Sequence, residues 1–151
     1  GVDIEVGKDT LRVKTNKNSS YSAMSLKTHE YPGFPTDLQA PMVVFLTQAT
    51  GESLVFETIF EERLHYVETL RRMGADIRTL DAHRAIIKGP TVLRGKTVES
   101  PDLRAGLAFV IACILADEES VVENAYNIDR GYEHIEERLQ KIGVSIDRVS
   151  K

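Results

Sequence analysis

The chain has 151 residues, 42% of them apolar, which is enough for one buried core and too little for several. A formal charge of −4 gives it no basic field, which excludes bulk electrostatic binding to nucleic acid or to an anionic membrane surface. One cysteine excludes an intrachain disulfide and fits a reducing cytoplasm, and no apolar run reaches the ~20 residues of a membrane-spanning helix.

Taken in order, Val2-Asp3-Ile4-Glu5-Val6 alternates apolar and polar residues, the pattern of a half-buried strand. Thr10-Leu11-Arg12-Val13-Lys14 repeats it after a Gly7-Lys8-Asp9 turn, which predicts a hairpin. Residues 15–22 read as a polar loop and 23–28 as a further strand. The opening Gly1-Val2-Asp3-Ile4, with no Met and no signal-like pattern, reads as the middle of a longer protein, so a fragment is expected. Next comes Pro32-Gly33-Phe34-Pro35-Thr36-Asp37, a loop stiffened by its Pro and Gly residues. A helix is predicted over 37–50, with Thr36 or Asp37 as its N-cap and Pro41 in the first turn, where a missing N–H matters least. Asp37 is therefore either a helix cap or a carboxylate positioned for general-base chemistry.

Gly51-Glu52 turns the chain, residues 53–57 read as a strand and 58–63 as a connecting loop. Leu64, Val67, Leu70 and Met73 lie at helical spacing, and Gly74 stops that helix. Two strands are predicted within 77–88 around a turn at Asp81-Ala82-His83, with a short strand at 97–99. The helix predicted over 102–116 is apolar almost all round and is expected to be buried. A strand at 121–123, a polar loop at 127–132, a helix over 132–142 and a closing strand over 143–151 complete the chain.

Short motifs recur in the same order. Gly1-Val2-Asp3-Ile4 returns as Gly74-Ala75-Asp76-Ile77 and again as Gly143-Val144-Ser145-Ile146, and Thr36-Asp37-Leu38-Gln39-Ala40 returns as Pro101-Asp102-Leu103-Arg104-Ala105. Two units of about seventy residues are expected, residues 1–73 and 74–142, each strand–helix–strand–helix and each needing a neighbour to cover its apolar face. The repeat brings matching loops to matching places, so one carboxylate (Asp37) and three guanidiniums (Arg63, Arg104, Arg130) are candidates for one rim. Arginine suits carboxylate and phosphate ligands; the alternative for each is a surface ion pair with Glu62, Asp102 or Asp129. Phe60 and Tyr126 occupy matching loop positions, for core packing or for substrate contact. Cys113, mid-helix among apolar residues, reads as a packed thiol. His29, His65, His83 and His134 show no metal-ligand spacing, and no nucleotide-binding glycine loop is present, so neither metal nor cofactor is expected.

Four segments carry a resemblance over essentially the whole chain: Gly33-Phe34-Pro35-Thr36-Asp37-Leu38-Gln39-Ala40, Glu57-Thr58-Ile59-Phe60-Glu61-Glu62-Arg63, Asp102-Leu103-Arg104-Ala105 and Ile128-Asp129-Arg130-Gly131-Tyr132-Glu133. They resemble the C-terminal part of the UDP-N-acetylglucosamine 1-carboxyvinyltransferases. The resemblance implies an EPSP synthase-like α/β fold, an inside-out barrel of three similar units, of which this chain would hold two: an incomplete domain. It implies enolpyruvyl transfer from phosphoenolpyruvate to UDP-N-acetylglucosamine with release of phosphate. Asp37 would take the sugar hydroxyl proton, Arg104 and Arg130 would grip phosphoenolpyruvate, Arg63 would lie at the same cleft, and Ile59 and Phe60 would line the nucleotide-sugar site. The family's Lys-Asn pair and its cysteine-bearing loop are absent here, so the chain by itself is expected to be inactive, and to expose an apolar flank or cover it by self-association. The alternatives are the sister enzyme acting on shikimate 3-phosphate and a non-catalytic binding or scaffold domain of the same fold.

Overall fold

The computed structural model describes residues 2–14 and 20–149. Gly1 of the first strand motif, residues 15–19 of the predicted loop and residues 150–151 of the predicted closing strand lie outside that range.

The first hairpin forms as the alternation predicts. Strand β1, Asp3–Val6, pairs antiparallel with β2, Leu11–Lys14, and the Gly7 N–H donates to the Thr10 carbonyl (2.8 Å) to close the turn. Its faces are a correction to the sequence reading. Ile4, Val6, Leu11 and Val13 are all exposed, because no other described strand pairs with the hairpin. The alternation marks a face able to be buried, and here it is left open.

The main sheet has four strands in the order β3 (Ser25–Lys27), β4 (Gly51–Phe56), β6 (Arg84–Gly89) and β5 (Asp76–Thr79). The β3–β4 pair is parallel; β4–β6 and β6–β5 are antiparallel. Gly51, predicted as a turn residue, is the first residue of β4 and stands opposite Gly89 with φ +111°. Along β4 and just beyond it, Ser53, Val55 and Glu57 are buried in period-2 alternation. A second parallel pair joins β7 (Thr97–Glu99) to β8 (Val121–Glu123).

Helices cover one side of these strands: α1 (Gln39–Leu46), α2 (Val67–Arg72), α3 (Leu103–Leu115), α4 (Tyr126–Asp129) and α5 (Ile135–Gln140). Val43, Val44 and Leu46 of α1, Val55 of β4, Leu70 of α2 and Ile87 of β6 share one core with Ala105, Ala108, Phe109 and Ala112 of α3. The alanines let α3 lie close to α1, and Gly106 lets it meet α4. A Cβ at Gly106 would stand 2.6 Å from the Ile128 side chain.

Several details differ from the sequence expectation. α1 ends at Leu46, not near 50, because the Thr47 hydroxyl donates to the Val44 carbonyl (2.7 Å) and competes with the helical bonds. α3 is not buried all round: Ile114 and Leu115, in its last turn, are exposed beyond the edge of the core. The stretch 127–132 is not wholly loop, since α4 begins at Tyr126 and buries Ile128; one turn is too short to show a helical period. α5 starts at Ile135 because His134 has φ +46°, which breaks continuity with the preceding turn. Finally, the closing strand does not form over 144–149. No described strand lies beside it to supply a ladder. The segment is pinned by side chains instead: Gln140 Nε2 donates to the Ile146 carbonyl (2.6 Å), and the Arg148 guanidinium donates to both Asp129 oxygens (2.9 and 2.6 Å) and to Glu136 (2.8 and 3.0 Å).

Candidate active site

The site starts from the stiff loop before α1. His29 donates its N–H to the Phe34 carbonyl and Gly33 to that of Glu30, so the loop folds on itself and enters a 3-10 turn, Thr36–Leu38, from extended Pro35. Neither Thr36 nor Asp37 caps a helix: no side-chain cap hydrogen bond exists at the 3-10 turn or at α1. The cap reading is corrected, and the reason is that both side chains have other partners.

The Asp37 partners come from elsewhere in the chain. Arg104 donates its Nε–H to Asp37 Oδ1, and Arg63 Nη1 lies 3.5 Å from the same oxygen. Arg104 is the second residue of α3. It is delivered there because the Asp102 side chain caps that helix, accepting from the N–H groups of Arg104 (2.7 Å) and Ala105 (3.0 Å). The Arg104 hydrogen bond, with the charge of Arg63 beside it, holds the Asp37 carboxyl below the usual carboxylate range. Asp37 is therefore ionised at neutral pH, and its side chain is still 59% exposed: a charged acceptor within reach of solvent or substrate.

Arg63 is the more enclosed cation. Its side chain is 20% exposed, its guanidinium lies 4.5 Å over the Phe60 ring, and its Nη1 is buried without a hydrogen-bond partner among the described residues. It is near enough to Asp37 to act by charge, but not aligned to donate. Phe60 is 48% and Tyr126 64% exposed, so core packing is ruled out for both matching positions. Ile59 is half-buried beside Phe60.

The structure thus brings together Asp37, Arg63, Arg104 and Phe60, with Ile59 alongside. It does not bring Arg130 into the Asp37 pairs: that residue is exposed at the C-terminal end of α4. The acids offered by sequence as surface partners are otherwise engaged. Asp102 caps α3, Asp129 is held by Arg148, and Glu62 lies 3.8 Å from His65. Cys113 is half-buried against the core, and burial pushes its thiol up, away from nucleophilic use. Among the described residues no group of three or more His, Cys, Asp or Glu could hold a metal ion, and no helix is long and apolar enough to cross a membrane.

Sequence reading assigned no role to Glu57. It is fully buried and its carboxylate receives donors from Thr28, Thr36 and the amides of Ile59 and Phe60. The signal was present: continuing the inward alternation of Ser53 and Val55 places Glu57 on the buried side.

A carboxylate beside two arginines at the mouths of helices is an arrangement suited to anionic ligands. Comparison with known proteins narrows the class. The model of the family described as EPSP synthase (3-phosphoshikimate 1-carboxyvinyltransferase) matches residues 1–139, and the chain belongs to that family of enolpyruvyl transferases. Among curated relatives, proteins named UDP-N-acetylglucosamine 1-carboxyvinyltransferase are 47% identical in Halothermothrix orenii (97% of this chain, 35% of the relative) and 47% in Acidobacterium capsulatum (99% and 34%). The chain spans about a third of the length of the curated relatives it matches. Two solved structures share the fold. The enolpyruvyl transferase NikO from Streptomyces tendae superposes with a TM-score of 0.89 at 22% identity, over 97% of this chain and 34% of that one. EPSP synthase from Acinetobacter baumannii superposes with a TM-score of 0.68 at 18% identity, over 99% and 35%.

Proposed function

We propose that this chain forms one wall of the active site of a full-length transferase that moves enolpyruvyl from phosphoenolpyruvate to the 3′-hydroxyl of UDP-N-acetylglucosamine, releasing phosphate. This is the first committed step of peptidoglycan synthesis, and so of cell-wall growth and division, and a cytoplasmic reaction. The observation that carries the reading is the meeting of Asp37 with Arg63 and Arg104, three side chains from separate segments of the chain. The names of the relatives above supply the sugar nucleotide.

The roles proposed for the residues are those that the family resemblance implies. Asp37, ionised, accepts the sugar hydroxyl proton as the sugar oxygen adds to the phosphate-bearing carbon of phosphoenolpyruvate and the methylene carbon takes up a proton from an acid in the rest of the protein; loss of a proton from the resulting methyl group then restores the double bond and expels phosphate. Arg104 and Arg130 hold the carboxylate and phosphate of phosphoenolpyruvate, and Arg63 adds positive charge at the same cleft. Ile59 and Phe60 line the nucleotide-sugar side. Without substrate, Arg104 is engaged by Asp37. Anionic oxygens from phosphoenolpyruvate compete for that guanidinium, and an Asp37 released from it is a stronger base. Substrate binding thereby switches on the base.

In this reading residues 1–73 and 74–142 are two of the repeated units of a larger domain. The remaining wall, including the Lys-Asn pair and the cysteine loop, lies in the rest of the protein. The isolated chain turns over no substrate, and its open hairpin favours self-association. The test is phosphate release from phosphoenolpyruvate by the full-length protein with each acceptor, wild type beside Asp37→Ala. Turnover with UDP-N-acetylglucosamine that falls by about a hundredfold or more in the variant is expected for loss of a general base. Turnover with shikimate 3-phosphate alone would move the protein to the sister activity. Turnover with neither acceptor would leave the scaffold reading.

A further inference from the structure

We propose that Glu57 is the positioning residue of this site: its buried carboxylate ties the turn that carries Asp37 to the loop that carries Ile59 and Phe60. The inference rests on the functional reading above for the meaning of Asp37, and on the structure alone for the tie.

Glu57 has no exposed surface. Its Oε1 accepts from Thr28 Oγ1 (2.9 Å), the Ile59 N–H (2.8 Å) and the Phe60 N–H (3.2 Å), and its Oε2 accepts from Thr36 Oγ1 (2.9 Å). The Thr28 hydroxyl can point only one way. It accepts from the Thr58 N–H (2.9 Å), so its own proton goes to Glu57. The Glu57 main chain is fixed too, its N–H donating to the His83 carbonyl (2.8 Å). The anchor itself therefore belongs to the sheet and does not move with either loop.

The arrangement is more than a turn acceptor. A buried carboxylate is tolerable only while its lone pairs are occupied, and here the four donors are neutral: two hydroxyls and two amides. Displacing Thr36, the donor to Oε2, leaves that oxygen unsatisfied in a dry place. The position of the Asp37 turn and the position of the Ile59–Phe60 loop are thus coupled through one side chain. Thr36, next to Asp37, is the link that serves the base and nothing else at the anchor.

The test compares Thr36→Val, which keeps the shape and loses the hydroxyl, with Thr36→Ser, which loses the methyl and keeps the hydroxyl, in the full-length protein. Positioning by Glu57 predicts that Thr36→Val lowers kcat by about tenfold to a hundredfold. KM for the sugar nucleotide should stay within about twofold, and Thr36→Ser should retain about half the wild-type kcat or more. A role confined to packing predicts the opposite order, with Val active and Ser impaired; that order, or an equal loss in both, overturns the proposal. Thr36→Ala replaces Thr36→Val should the latter not fold, with the same expectation. A second readout does not depend on turnover. Asp37 faces Arg104 from α3 and Arg63 from the loop before α2, and a turn that slips loosens both pairs. Carboxyl NMR of Asp37 should then show its titration midpoint rising in Thr36→Val and unchanged in Thr36→Ser. A wild-type protein inactive with either acceptor would defeat the functional reading and leave this second readout to decide the tie; an unmoved midpoint in Thr36→Val would sink it.

Discussion

Asp37 shows how a single carboxylate changes meaning with its neighbours. By itself, an acid at a helix mouth is a cap. Here no side chain caps the 3-10 turn or α1, and Asp37 faces two cations. The pH consequence has a definite sign. Its folded-state pKa is depressed, chiefly by the Arg104 hydrogen bond, so the pair contributes stability above the unfolded value of about 3.9 and loses it as pH falls through the folded value. Arg104→Ala should raise the Asp37 midpoint toward the ordinary carboxylate range, with Arg63 still holding part of the shift. The stability difference between wild type and variant, measured by urea unfolding, should be present near neutrality and vanish in strong acid. Because Asp37 is more than half exposed, that difference should be small and shrink further in high salt. A difference that persists in strong acid would mean Arg104 stabilises by packing, not by charge.

At the scale of elements, the site depends on where helices begin. α3 is thirteen residues long, and its N-cap Asp102 secures the turn from which Arg104 reaches Asp37. Asp102→Ala should cost about 1 kcal/mol in unfolding free energy, and Asp102→Asn should recover most of it. Fraying of that first turn should also raise the Asp37 midpoint, since the guanidinium is then less well held. Equal stabilities for the Ala and Asn variants would remove the capping account. The two parallel strand pairs place these helix starts side by side: β3 leads to the turn before α1, and β7 leads directly to α3.

For the molecule as a whole, what stands out is an element left uncovered. The β1–β2 hairpin pairs with no other described strand, and an isolated two-stranded hairpin is only marginally stable in water. The second hairpin, β5–β6, shows the covered alternative, joined to the edge of β4 with Ala85, Ile87 and Ile77 buried. The isolated chain should therefore bind an apolar dye or sediment as more than a monomer as concentration rises. Changing the facing pair Val6→Lys and Leu11→Glu should suppress both effects while keeping the cross-strand register. A wild-type chain that is monomeric and binds no dye would show that the hairpin is covered in some other way.

Local pattern determined the elements, because alternation, helical spacing and Gly stops are properties of neighbouring residues. Both hairpins, the strands at β3, β4, β7 and β8, and the helices α1, α2 and α3 were legible on that ground, as were Asp37, Arg63 and Arg104 as members of ordered motifs. Tertiary structure decided what those residues do to one another. Asp37 and Arg104 lie far apart in sequence, and only the packing of α1 on α3 makes them a pair. Helix ends at Thr47 and His134 turned on a side-chain hydrogen bond and a left-handed residue that no periodicity reveals. The segment at 144–149 has the composition of a strand, but a strand requires a neighbouring ladder, and that is a property of the fold. Glu57 lies between the two cases. Its inward position was written in the alternation of β4, whereas the four donors that make a buried charge tolerable come from Thr28, Thr36 and the loop beyond, and only the folded chain gathers them.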